Sequence, residues 1–317
     1  ARLPIIVPES MRVAQAPYVV GYPDGRAWGD LTEKELNLRG KGFKITQKEL
    51  DDIMVEVLKR VSAAAQDAVA RTGAAFQMTP AQLDRAFKLP LRAQLWYELS
   101  AEKFKDGLPL SFDDLFMMLD ILGATSARTK PYDNLARTLA VISQTMQNVP
   151  VDTDLAMPSA VTRALGRAGQ DVTSLLGNKT GQFSNTLALT GGMTTSYPIP
   201  VNDVWVGTMF GVTDDQLTQN QSLHEVFSLY QILLAEKVRA KGNAGSSVPH
   251  QPWHGQARTW VELRSTDAGI DTTTATQLEG TDYAAEWPRI IQALRDAKVP
   301  GITKDGKITK KALMSPK

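Results

Sequence analysis

Ser111-Phe112-Asp113-Asp114-Leu115-Phe116-Met117-Met118-Leu119-Asp120-Ile121-Leu122-Gly123-Ala124-Thr125-Ser126 carries its own helix start and stop. Ser111 is a side chain suited to accept from the unpaired N–H groups of a first turn, and two acidic residues follow it where the helix dipole favours them. Leu115, Phe116, Met118, Leu119 and Leu122 make the segment apolar on most of its sides, so the helix belongs at the centre of a core rather than at its edge. Gly123-Ala124-Thr125-Ser126 then breaks it. Pro131 opens a further helix with Leu135, Leu139 and Ile142 on one stripe, and the pair reads as a helical hairpin.

Working outward, the same signals recur on both sides. Thr46 and Glu49 form a capping-box pair ahead of Ile53, Val57, Val61, Ala64, Ala65 and Ala68, which predicts one amphipathic helix up to Gly73. Thr79-Pro80 opens another, and Leu91 to Phe104 continues with Leu95, Trp96 and Leu99. Downstream, helices are predicted at about 159–167, 180–189, 204–210, 214–241, 253–264 and 283–298. Trp253, Trp260 and Leu263 are expected to turn inward. Residues 1–30 hold Pro4, Pro8, Pro17 and Pro23 with Gly21, Gly25 and Gly29, so they read as an extended arm with a short strand at Tyr18-Val19-Val20. The predicted fold class is all-α, a multi-helix orthogonal array with an extended Pro/Gly-rich N-terminal arm. Its divisions are an arm over 1–45, a helical core over 46–264, and a Thr-rich loop, closing helix and basic tail over 265–317.

Composition excludes several function classes. The 317 residues include no cysteine, which removes disulfides, thiolate nucleophiles, Cys-held zinc and iron–sulfur clusters. Hydrophobic residues at 43% and charged residues at 22% describe a chain that folds. No apolar run reaches the roughly 18 residues that span a bilayer, and residues 1–8 are too short and Pro-broken for a signal sequence, so a cytoplasmic site of synthesis is expected. A net charge of +1 gives no global pull toward nucleic acid. The local excess lies in the tail at Lys298, Lys304, Lys307, Lys310, Lys311 and Lys317, read as a solvated, mobile end or as a phosphate-contacting arm.

His224, His250 and His254 lack a further ligand nearby and read as surface or interface histidines, so no metal site is expected. No phosphate-binding glycine loop and no Gly-x-Ser-x-Gly elbow is present. What remains is a constellation of four segments. They are Leu122 to Ser126, Asp133-Asn134, Gly177-Asn178-Lys179-Thr180, and Pro200-Val201-Asn202-Asp203-Val204-Trp205.

In order and local character this constellation resembles the helix-hairpin-helix DNA glycosylase superfamily typified by endonuclease III. There a helix ends in an LSAQT-like turn, an asparagine begins the next contact, a GRKTA segment carries a lysine, and a VDTH segment carries an aspartate at the start of a helix. It is also similar to phage-encoded families of unknown function that keep the same turn and an iDrh helix start. The resemblance implies that Lys179 is the amine that attacks the sugar C1′, and that Asp203 stabilises the cationic sugar. Thr125, Ser126 and Asn134 would contact substrate, and Trp205 would help to line the pocket for an extruded base. Neither a metal nor a redox cofactor is implied, and DNA is the expected partner. The family's LPGVG hairpin is reduced here to Leu175-Leu176-Gly177, its four-cysteine cluster is absent, and Trp205 replaces a histidine. Two plainer readings stay open, Asp203 as an ordinary helix N-cap and Lys179 as an exposed side chain. As a whole-protein alternative, the chain is a phage virion, internal or host-interaction protein that keeps the scaffold without the chemistry, with phage or host proteins as partners. The two readings share a location, the host cytoplasm or the virion.

Overall fold

The computed structural model describes residues 18, 20–126, 129–151, 178–193, 199–267 and 283–314. Along these residues the helices run α1 (Glu33–Leu36), α2 (Gln47–Arg60), α3 (Ala63–Thr72), α4 (Pro80–Phe87), α5 (Leu91–Gln94), α6 (Trp96–Gly107), α7 (Phe112–Thr125) and α8 (Pro131–Met146). They continue as α9 (Asn178–Thr190), α10 (Val204–Met209), α11 (Asp214–Gln219), α12 (Leu223–Ala240), α13 (Pro252–Asp267), α14 (Tyr283–Asp296) and α15 (Lys310–Leu313). The fold is all-α; among the described residues β pairing is limited to isolated bridges, Arg39 with Pro90 and Ile302 with Ile308. The predicted helix at 159–167 and the segment Leu175-Leu176-Gly177 lie outside the described residues, as does Val19, and Tyr18 and Val20 are not in a strand.

The chain forms two compact units. The first is drawn from residues 96–196 and 278–317 together with 1–5, the second from 6–95 and 197–277.

In the first unit α9 packs against α7 and α6, α14 against α8 and α6, and α7 against α8. The central helix is the unusual one. Thr180, Gln182, Ser184, Asn185, Thr186 and Thr190 of α9 are all buried beside Phe183, Leu187 and Leu189. Burying such polar groups requires internal partners. Ser184 Oγ donates to Asp120 Oδ1 at 2.5 Å, and the Thr186 and Thr190 hydroxyls donate back to the Gln182 and Leu187 carbonyls. Gly123 explains how α7 and α9 come so close, because a Cβ there would lie 2.7 Å from the Thr180 carbonyl oxygen. Trp96, Phe104, Phe183, Tyr283 and Trp287 supply the aromatic part of this core, with ring centroids 5.5 to 6.3 Å apart in the pairs that touch.

In the second unit α12 is central, set against α2, α3 and α13. Phe210 stacks on Phe227 at 4.1 Å and Phe76 on Tyr230 at 4.5 Å. The capping box at Thr46 and Glu49 is present, and so are those at Thr79 with Gln82 and Thr213 with Gln216. Each such cap contributes about 1 kcal/mol. Glu49 also receives the Lys241 ammonium at 2.9 Å, which with the Thr46 amide holds its carboxyl down to about 2.

Several expected single helices are divided. The helix expected from Thr46 to Gly73 stops at Arg60 and restarts at Ala63, because Ser62 caps the Ala65 amide and gives its own N–H and hydroxyl to the Glu225 carboxylate. The helix expected over 214–241 is interrupted between Gln219 and Leu223. Leu91 to Phe104 is two helices, with Leu95 closing the first. Within the expected extended arm, Trp28–Asp30 form a 3-10 turn and α1 is capped by Thr32 and Glu35. Of the loop expected from residue 265, Ser265 to Asp267 belong to α13, and residues 268–281 lie outside the described residues.

Candidate functional site

The first unit gathers four of the residues singled out in the sequence. Thr125 ends α7 and Asn134 lies in the first turn of α8, and both are fully buried. Thr125 Oγ1 donates to Asn134 Oδ1 at 2.6 Å, and Asn134 Nδ2 donates to the Leu122 carbonyl at 3.1 Å and to the Tyr283 hydroxyl at 2.6 Å. Thr138 Oγ1 gives its proton to the Asn134 carbonyl at 2.8 Å. The group is a clamp that fixes the end of α7 to α8 and α14. Neither Thr125 nor Asn134 reaches solvent, so what these two side chains do is position the turn that follows them.

Ser126 sits on that turn, half-buried, with its hydroxyl 2.7 Å from the Gly123 carbonyl. Lys179, in the first turn of α9, places Nζ 2.5 Å from Ser126 Oγ and 3.4 Å from the Ser126 carbonyl. It also lies 5.6 Å from the centroid of the Phe183 ring, within cation–π range. Lys179 is therefore half-buried and anchored rather than an exposed side chain. The turn after α7 and the start of α9, separated by over 50 residues, meet through this pair.

The second unit holds Asp203 and Trp205. Asp203 is the N-cap of α10: its Oδ1 accepts from the Trp205 and Val206 amides, both at 3.1 Å. Its other oxygen, Oδ2, accepts the indole N–H of Trp260 at 3.0 Å. Trp260 is half-buried and carries the Arg264 guanidinium 4.9 Å from its ring centroid, one helical turn on along α13. The helix N-terminus and the indole donor together turn partial positive charge toward the carboxylate. Val204 beside it is exposed, and Trp205 is half-buried with its backbone amide committed to Asp203.

Asn202 is the residue that the sequence reading passed over. It is fully buried, and its Nδ2 donates to the His224 carbonyl at 3.1 Å and to Ser228 Oγ at 2.7 Å. Its Oδ1 accepts from Gln231 Nε2 at 2.9 Å. The segment that delivers Asp203 is thereby pinned to α12. An asparagine beside an aspartate was visible in the sequence, but its partners, 22 to 29 residues away, were not. Trp260 and Arg264 were likewise visible as an i,i+4 pair on one helix. Trp260 had been expected to turn inward with Trp253; only Trp253 does so fully.

The three histidines are buried rather than at the surface. His254 Nδ1 accepts from the Gln251 amide at 3.1 Å, while among the described residues neither ring nitrogen of His250 has a hydrogen-bond partner. Burial pushes His224 down to about 4, and burial with the nearby His254, Arg258 and Arg239 pushes His250 well below its ordinary value. Both are neutral at pH 7. Among the described residues no group of three or more His, Cys, Asp or Glu side chains is arranged to hold a metal ion. No helix among them is long and apolar enough to cross a membrane.

Comparison with protein-family models, with curated proteins and with solved structures finds no match.

Proposed function

We infer that the chain is a phage-type DNA-processing protein of the glycosylase kind, acting on a modified or damaged base. The supporting observation is the setting of Asp203, whose two oxygens take three N–H donors at the mouth of α10 beside an exposed Val204 and a half-buried Trp205. A carboxylate fixed by donors is oriented before substrate arrives, and it can stabilise charge that develops next to it without reorganising.

In this chemistry the base is first extruded from the duplex. The C1′–N bond then breaks with its electron pair leaving on the base, and the carboxylate of Asp203 stabilises the cationic sugar. Water adds to C1′ and its proton goes to the departing base. The reading locates the protein in the host cytoplasm or the virion.

The test is base release from a panel of duplexes, each bearing one damaged or modified base, read by chromatography. Wild type releases one base of the panel, and Asp203→Asn slows release by 100-fold or more. A protein that binds no duplex and releases no base, and instead joins a virion or a host protein, would refute the proposal in favour of the non-catalytic scaffold.

A further inference from the structure

Between residues 295 and 311 the chain carries Arg295, Lys298, Lys304, Lys307, Lys310 and Lys311 against Asp296 and Asp305, in a protein whose net charge is only +1. All six cationic side chains are exposed. The sequence left this stretch as a mobile end or a phosphate-contacting arm, and the described part, through residue 314, is not mobile in construction. Lys298 takes the left-handed conformation at the end of α14, with φ of 56°, and turns the chain back. Thr303 and Lys307 then close a hairpin, N–H to carbonyl at 2.9 Å, and Ile302 bridges Ile308. Trp287 Nε1 donates to the Gly306 carbonyl at 2.9 Å, Arg295 donates to the Thr303 and Lys304 carbonyls, and the Ile308 amide donates to the Gly107 carbonyl at 2.8 Å. At the far end the Leu313 carbonyl accepts from Ser143 Oγ and Gln147 Nε2. The lysines are thus mounted on a fixed backbone.

We propose that this lysine hairpin, residues 298–311, is a docking surface for the phosphate backbone of duplex DNA. The inference rests on the reading of the protein as DNA-directed and says which face of the first unit holds the duplex. Charge complementarity selects the partner. The exposed large apolar side chain at its edge is Met314, so the surface offers charge with little to insert into a lipid layer. The cations of residues 298–311 are lysines, compact point charges that meet phosphates without the forked geometry that reads base edges. The hairpin therefore holds DNA irrespective of sequence, and its binding falls steeply with salt because each phosphate contact releases a counterion.

The experiment uses the full chain and a fluorescein-labelled 20-base-pair duplex, with anisotropy titrations at 50, 100 and 200 mM NaCl. In K304Q/K307Q/K310Q/K311Q the slope of log K against log salt becomes shallower by about 3 to 4, and the affinity at 50 mM falls by roughly 100-fold. The corresponding four Lys→Arg changes restore both. Changing Lys34, Lys44, Lys48 and Lys59 to Gln, as a control in the second unit, leaves both within about threefold of wild type. Formaldehyde cross-linking of the wild-type complex maps to residues 298–311, a readout that needs no variant to fold. Unchanged slope and affinity in the glutamine variant, cross-links elsewhere, or binding to phosphatidylserine vesicles in place of duplex would each overturn the proposal. Base release separates the two claims: release with unaltered binding by the glutamine variant removes only this inference, and salt-sensitive binding through the hairpin without release removes only the chemistry.

Discussion

Replacing Gly123 by alanine sets two effects of known sign against each other. Alanine is the better helix former, and in the middle of a free helix the change would stabilise by about 1 kcal/mol. Here the new Cβ would meet the Thr180 carbonyl oxygen at 2.7 Å and the Ser184 Cβ at 3.4 Å. The first contact is shorter than Cβ atoms tolerate, and its partner is backbone in the first turn of α9, which cannot rotate aside as a flexible side chain would. The helices must separate by several tenths of an ångström, and with backbone as the partner the cost lies in the upper part of the overpacking range, about 2 to 3 kcal/mol. The clash wins, with a net loss of about 1 to 2 kcal/mol. With a urea dependence of about 2 kcal/mol per molar, the midpoint falls by about 0.5 to 1 M. A functional consequence follows, because Lys179 precedes Thr180 and the Gly123 carbonyl accepts from Ser126. Separation of α7 from α9 lengthens the contact between Lys179 Nζ and Ser126 Oγ. Urea unfolding followed by circular dichroism decides the matter: a Gly123→Ala protein as stable as wild type, or more so, would show that the close approach of the two helices does not govern this site.

Two further outcomes are expected. Removing the Asn202 side chain leaves Gln231 Nε2, Ser228 Oγ and the His224 carbonyl without it, so Asn202→Ala should cost about 2 to 4 kcal/mol in urea unfolding, whereas Asp203→Asn, which keeps an N-cap oxygen, costs under about 1; a loss below 0.5 for Asn202→Ala, roughly the level of an ordinary surface change, contradicts the pinning role. Stability should also fall with acid in a particular window. An unfolded histidine titrates near 6.5, while burial holds folded His224 near 4. The unfolded chain therefore takes up the proton first, and the contribution of His224, complete above pH 6.5, is lost as pH falls from 6.5 to about 4, amounting to about 3 kcal/mol. The Glu35 and Glu49 carboxyls, held at about 2, lose their contributions only below about 4.5. Urea midpoints at pH 7.5, 6.0 and 5.0 should fall less in His224→Leu than in wild type; parallel curves would rule out this linkage.

Much of the fold was legible because its signals are local. Thr46 with Glu49, Thr79 with Pro80, and Ser111 with its acidic followers each announce a helix within four residues of its start, and the structure begins helices there. The interruptions were not legible, because their causes are distant. Nothing near Ser62 says that Glu225, 163 residues on, will take its N–H and hydroxyl. The same limit applies to burial. Asn178 to Thr190 is rich in polar residues, and it is central because Asp120 and Gly123 of another helix accommodate it. At the site, Asp203 was singled out by the resemblance, and its N-cap role was legible from its place before Val204, an end signal of the same local kind. Asn202, which fixes it, and Trp260, which holds its second oxygen, act through contacts that sequence distance hides. The histidines were misplaced for the converse reason: a polar side chain says nothing about the apolar neighbours that will enclose it.

The bond from Asn134 to the Tyr283 hydroxyl spans 149 residues, and that separation has a meaning in time. A ribosome adds about 5 to 20 residues per second, so roughly 7 to 30 s pass between the synthesis of one partner and the arrival of the other. Throughout that interval the Asn134 amide lacks its phenol partner, and the aromatic cluster lacks the Tyr283 and Trp287 rings. The first unit completes itself only when a late-made helix returns to an early-made pair. Chaperone binding during translation should accordingly be concentrated between the emergence of α8 and that of α14.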